Sequence, residues 1–144
     1  MGKASSSTDR VIAQAGVVPY RFNGRGQLQV LLITNRAGQW IVPKGMIDQG
    51  ATAEQAALIE ALEEAGAVGH RVEEELGAYE YAKWGRVCRM RLFSMRVDRL
   101  LDKWLERSSR RREWFTLEEA AARVEVAGLK SVLLAFARRL ADAA

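Results

Sequence analysis

Glu60, Glu63 and Glu64 crowd into the stretch IEALEEAG at 59–66, with no lysine or arginine among them. Like charges three and four residues apart on a helix repel, each pair costing a few tenths of a kcal/mol. Something outside the helix must compensate, and a divalent cation is the obvious candidate. Glu60 and Glu64 stand i,i+4, one above the other, so their carboxylates can share one hard ion. Mg²⁺ takes oxygen ligands, keeps some of its waters and bridges phosphate oxygens; Mn²⁺ is a possible substitute. Glu63 faces nearly the same side and is placed to accept a proton from an attacking water. Parts of this kind suit hydrolysis of a phosphoanhydride. Three crowded acids also raise at least one pKa in the absence of metal. The metal-free helix should therefore be the less stable one at neutral pH.

The helix that carries these acids has clear ends. TAEQ is a capping box, with Thr52 at N-cap and Gln55 at N3, and Gly66 is a natural C′ residue. Ala57, Leu58, Ala61, Leu62 and Ala65 form an apolar stripe, from which the three glutamates are expected to project away. Before it, VIAQAGVVPYRF (11–22) and QLQVLLITNR (27–36) read as strands joined at NGRG, and WIVPKG (40–45) as a short extended segment. After it, 71–83 and 86–97 alternate like antiparallel strands meeting at KWGR. A charged connection over 98–111 leads to a short strand, REWF, and then to helices in TLEEAAARV and GLKSVLLAFARRLADA. The order β-β-β-α-β-β-β-α describes an α+β domain over 11–144 behind a mobile N-terminal tail, 1–10.

From Gly45 the pattern runs G-x5-A-x7-I-E-A-L-E-E-A-G-A. It resembles the Nudix box, G-x5-E-x7-R-E-U-x-E-E-x-G-U, with U aliphatic. Gly45, Glu60, Glu63, Glu64 and Gly66 match, and Ala61 and Ala67 occupy U positions. The resemblance implies an α/β/α sandwich with a mixed central sheet, and a Nudix-type pyrophosphohydrolase. It implies a further metal ligand beside Glu60 and Glu64, the backbone carbonyl of Lys44. Glu63, by its place on the helix, is the expected general base, although family members also recruit a loop carboxylate for it. Asp102, Glu106 and Glu80 are the other carboxylates open to that last task. Two positions depart: Ala51 replaces a glutamate, and Ile59 replaces an arginine whose loss would bear most on Glu63. WIVPKG and RREWF look most like the diphosphoinositol polyphosphate and dinucleoside polyphosphate hydrolases. On that likeness Lys44, Gly45, Lys83, Arg86 and Arg89 are candidate substrate contacts, with Arg112 a weaker one. A catalytically weakened nucleotide-binding or sensor domain is the alternative that Ala51 and Ile59 support.

Composition narrows the classes further. The chain has 144 residues, enough for one domain with a full core, and 49% are apolar. With one histidine (His70) and one cysteine (Cys88), neither a zinc site of N/S ligands nor a Cys-His nucleophile is available. Cys88 lies in an alternating strand pattern and reads as a buried structural thiol. Its solitude fits a reducing compartment, so a cytoplasmic location is expected. No apolar run is long enough to cross a bilayer, and no membrane partner is expected. The net charge of +4 and the clustered arginines point to an anionic partner. A small polyphosphate fits better than nucleic acid, a capped RNA end excepted, because the arginines of 86–96 alternate with core-seeking Met90, Leu92 and Phe93. Trp40, Trp84, Tyr79 and Tyr81 are available either to stack on a base or to pack. Oligomeric state is not legible in these residues.

Overall fold

The computed structural model describes residues 11–143; the tail expected over 1–10 lies outside the described residues. The first two strands, β1 (Ile12–Phe22) and β2 (Leu28–Thr34), form the expected hairpin. Its turn is tied by Asn23, whose Oδ1 accepts the N–H groups of Arg25 at 2.8 Å and Gln27 at 3.0 Å. WIVPKG, expected as one extended segment, is two: β3 (Trp40–Ile41) pairs with β2, and β4 (Lys44–Met46) pairs with β1. Pro43 sits at the break, where its carbonyl accepts the Val17 N–H. There follow α1 (Ala53–Ala65), β5 (Ala67–Val68), β6 (Glu74–Lys83), β7 (Arg86–Arg96), β8 (Arg99–Leu100), β9 (Arg112–Thr116), α2 (Leu117–Arg123) and α3 (Ala127–Ala143).

Seven strands form one mixed sheet, ordered β3-β2-β1-β7-β6, with β4 on β1 and β9 on β2. β1 runs parallel to β7 and antiparallel to its other partners. Its second edge is split: Tyr20–Phe22 pair with β2, whereas Gln14–Gly16 pair with β4. β5 and β8 make a separate two-stranded ladder. Both faces of the sheet are covered. On one, Ala15, Val17, Leu31, Ile33, Phe93 and Met95 meet the alanines of α1. On the other, Val18, Leu32, Met90, Leu92 and Phe115 meet α2 and α3 through Leu117, Leu129, Leu133 and Phe136. This is the expected α/β/α sandwich. Cys88 is fully buried within it.

The expected apolar stripe of α1 is rotated in the structure. Ala53, Ala56, Ala57, Ala61 and Ala65 are buried, and so is Glu64, whereas Leu62 is 44% and Ile59 51% exposed. Alanines let the helix lie close to the sheet, and this closeness draws Glu64 inward rather than away from the core. At the tip between β6 and β7, Trp84 (φ 55°) and Gly85 (φ 68°) both adopt positive φ, as a two-residue type I′ turn requires.

Candidate active site

The capping box starts α1 at a fixed point: Thr52 Oγ1 accepts the Gln55 N–H at 3.0 Å, and Gln55 Oε1 accepts the Thr52 N–H at 2.9 Å. At the other end Gly66 takes φ 63°, and side chains from the 98–112 segment satisfy the last carbonyls. Trp104 Nε1–H donates to the Glu64 carbonyl at 3.0 Å, and Arg112 donates to that of Ala65 at 2.9 Å while stacking 3.9 Å from the Trp104 ring. Arg112, weighed as a phosphate contact, is therefore a helix cap. Trp104 anchors the same end.

With both ends fixed, Glu60 and Glu64 are presented to β4. A Cβ on Gly45 would lie 2.4 Å from Glu60 Oε2, so the missing side chain is the space in which this carboxylate rests. Gly45, a candidate substrate contact by sequence, also serves as a seat for Glu60. The Val17–Pro43 and Ile47–Ala13 hydrogen bonds set the register of β4 on β1. Lys44, opposite Gly16, then falls at a non-hydrogen-bonded pair and turns its N–H and C=O away from β1. Its N–H donates to Glu64 Oε1 at 3.1 Å. The carbonyl expected as a metal ligand thus opens toward the same side as Glu64.

The electrostatics of the pair follow from burial. Desolvation pushes the Glu60 carboxyl up to about 8, helped by its hydrogen bond with Glu64 and repulsion from Glu64, Glu63 and Glu106. Burial also raises Glu64, against the opposing pull of Glu60, Arg110 and the Lys44 N–H. A proton shared between two carboxylates is what a divalent cation displaces. Among the described residues, no three His, Cys, Asp or Glu side chains form a gathered ligand set. The fit to a hard cation rests on two carboxylate groups, one outward backbone carbonyl and room for waters, which is the donor chemistry Mg²⁺ takes.

Next to the pair opens a cleft of about 530 Å³, lined by Asn35, Arg36, Ala37, Ile41, Lys44, Lys83, Glu106, Ser109 and Arg110. Burial, then repulsion from Lys83, depresses the Lys44 ammonium pKa, so the cleft wants an anion. Glu63 is half-buried on the flank of α1, and its carbonyl accepts the Glu106 N–H at 3.2 Å. Arg86 faces Lys83 across the hairpin but is not part of the cleft lining. Arg89 is not brought to the cleft. Strand alternation turns it to the opposite sheet face from Lys83, where its guanidinium lies 3.9 Å from Glu80. Glu80, opposite Arg89 and on the same face, is likewise turned away from Lys83 and does not line the cleft.

Sequence reasoning missed Arg110. Its Nε–H donates to Glu106 Oε1 at 2.7 Å, its NH1 to the Thr34 carbonyl at 2.9 Å, and its NH2 lies 3.7 Å from Glu64 Oε2. The i,i+4 spacing of Glu106 and Arg110 was the available signal. Trp40 packs edge-on against Phe115, their ring centroids 5.1 Å apart, and Tyr79 packs against the α2/α3 core.

Comparison with known proteins agrees with this geometry. The family profile described as NUDIX domain matches residues 12–136. Nudix hydrolase 21, chloroplastic, of Arabidopsis thaliana is 33% identical over 130 residues, covering 86% of this chain and 65% of that protein. Nudix hydrolase 4 of the same plant is 35% identical over 115 residues, covering 73% and 55%. The chain therefore spans a little under two thirds, and about half, of the lengths of these two relatives. The crystal structure of a C. elegans Ap4A hydrolase binary complex superposes with a TM-score of 0.74 at 26% identity, covering 92% of this chain and 99% of that one.

Proposed function

Because this chain belongs to the NUDIX domain family, we propose that it is a divalent-metal-dependent pyrophosphohydrolase, acting on a diphosphate linked to another moiety. The observation that carries the proposal is the Glu60–Glu64 pair seated over Gly45 at the head of a cationic cleft. Glu60, Glu64 and the Lys44 carbonyl would hold the cation, Mg²⁺ or in its place Mn²⁺. When bound, such an ion neutralises diphosphate oxygens and lowers the pKa of a nearby water. The chain's own groups do the rest. Lys44, Lys83 and Arg110 hold the polyphosphate, and the buried wall of α1 fixes the carboxylates against it. Glu63 takes the proton of the attacking water. Glu106 is the second candidate for that task, because it lines the cleft itself.

The charge of the cleft supports one substrate class. Its lining carries Arg36, Lys44, Lys83 and Arg110 but no aromatic ring. Recognition by charge favours a highly phosphorylated substrate, a dinucleoside polyphosphate or a diphosphoinositol polyphosphate, over one selected by its base. The likeness to a C. elegans Ap4A hydrolase supports the first. The deciding experiment is phosphate release from Ap4A, diphosphoinositol polyphosphates, nucleoside triphosphates and nucleotide sugars, with Mg²⁺, Mn²⁺ or chelator. Metal-dependent turnover of one class, lost in Glu64→Gln, is the expected result. Binding without turnover of any class would overturn it in favour of a sensor domain.

A further inference from the structure

Arg110 touches both halves of the site, and its three contacts are unequal. Nε and NH1 are held by strong hydrogen bonds to Glu106 and the Thr34 carbonyl, at 2.7 and 2.9 Å. The Arg110 backbone is held as well, since the next residue, Arg111, exchanges hydrogen bonds with Thr34 at 2.9 and 3.1 Å. NH2, by contrast, meets Glu64 Oε2 at 3.7 Å, an ion pair beyond hydrogen-bond reach. The same side chain lines the cleft beside Lys44 and Lys83. Ile59, where the family pattern has an arginine, is 51% exposed and borders a shallow apolar groove with Leu58, Leu62 and Val68. Charge balance for the carboxylates therefore comes from the 98–111 connection and not from α1.

We infer that Arg110 is shared between the carboxylates and the substrate: its NH2 edge balances Glu64 in the metal-free protein and binds a phosphate oxygen of the polyphosphate when the cleft is filled. The inference rests on the metal-dependent reading of the site. It assigns Arg110 two opposed effects. As a positive charge near Glu64 it weakens cation binding; as a donor in the cleft it strengthens phosphate binding. Glu64 keeps its place without Arg110, because Oε1 is held independently by the Lys44 N–H at 3.1 Å. Removing the arginine thus removes charge more than orientation.

Arg110→Gln keeps an N–H at the position of Nε, facing Glu106, and loses the charge together with NH1 and NH2. Unit charges about 4 Å apart near a protein surface shift an equilibrium well beyond tenfold. With Glu106 offsetting part of this, we expect the variant to bind Mn²⁺, followed by electron paramagnetic resonance, about tenfold more tightly. The Mn²⁺-loaded variant should bind imidodiphosphate, which resists hydrolysis, about tenfold more weakly by calorimetry, as loss of a charge-assisted donor requires. Arg110→Lys keeps the charge and loses the fork. It should bind Mn²⁺ as the wild type does and imidodiphosphate less well, and it carries the test if the glutamine variant does not fold. Weakening of both ligands would make Arg110 merely structural and overturn the inference; so would an unchanged affinity for either ligand in Arg110→Gln. Failure of the wild type to bind Mn²⁺ would refute the metal-dependent reading itself, and this inference with it.

Discussion

Gly45→Ala separates the stability of this fold from its chemistry. The new Cβ would stand 2.4 Å from Glu60 Oε2 and 2.5 Å from Cδ, where ordinary contact begins at 3.4 Å. The carboxylate must retreat by about 1 Å, a misplacement that can cost a catalytic constellation roughly a hundredfold. The fold itself has little to lose. Gly45 lies in a strand without positive φ, so alanine fits its backbone and contributes about 0.4–1 kcal/mol by restricting the unfolded chain. Turning Glu60 off its rotamer costs about 0.5–1.5 kcal/mol. Thermal unfolding should thus shift by no more than about 1 kcal/mol in either direction, while kcat/KM for the metal-dependent reaction falls about a hundredfold. Adding Glu60→Asp, one methylene shorter, should recover part of the activity. A Gly45→Ala enzyme with kcat/KM within threefold of wild type would refute the assignment of Glu60. A large loss of stability would refute the view that only a side chain has to yield.

Three further outcomes are expected. Glu60 is raised to about 8 in the folded, metal-free protein, so its protonated form stabilises the fold most below the ordinary carboxylate range, and this is lost as pH rises toward 8. Melting temperature in chelator should fall between pH 5 and pH 8.5, less so in Glu60→Gln, and added Mg²⁺ should restore it at the upper end. Trp84→Asn should raise the melting temperature, since asparagine tolerates the φ of 55° that costs tryptophan roughly 1–2 kcal/mol; an unchanged or lower value would mean that the indole stabilises the tip. Ile59→Arg, at a 51% exposed position one turn before Glu63, should leave stability within about 0.5 kcal/mol and raise kcat rather than lower KM. Unchanged turnover would show that Glu63 needs no ion pair on α1.

Much of the architecture was legible because it is written in local signals. The Thr52–Gln55 box and Gly66 bound α1 as expected, and both long hairpins pair where their turn residues place them. What escaped is what depends on packing across elements. Leu62 looks apolar enough for the core, yet it is Glu64 that is buried, because the Lys44 N–H and Arg110 meet it from other segments. Arg89 looks available for phosphate until register sets it against Glu80 on the opposite face from Lys83. Arg110, one of four arginines between 107 and 112, is brought to the site by the Thr34 carbonyl and Glu64, both far earlier in the chain; its i,i+4 spacing from Glu106 was the one local sign of it. Periodicity reads a face; it does not read which distant group comes to rest on it.

The parallel pairing of β1 with β7 has a kinetic consequence. Ile12 lies beside Cys88 and Tyr20 beside Arg96, and β2 in turn awaits β9, so that Val30 finds Phe115 only when most of the chain exists. A nascent chain leaving the ribosome therefore carries α1, with its clustered acids, well before the central strand has its neighbour. Ladders that join such distant segments close slowly, since the loop entropy is lost before the contacts return it. Refolding should accordingly be limited by closure of this long loop and not by formation of α1. Nascent chains arrested before β7 should expose the apolar edges of both β1 and β2 to chaperones, and those arrested between β7 and β9 the edge of β2 alone.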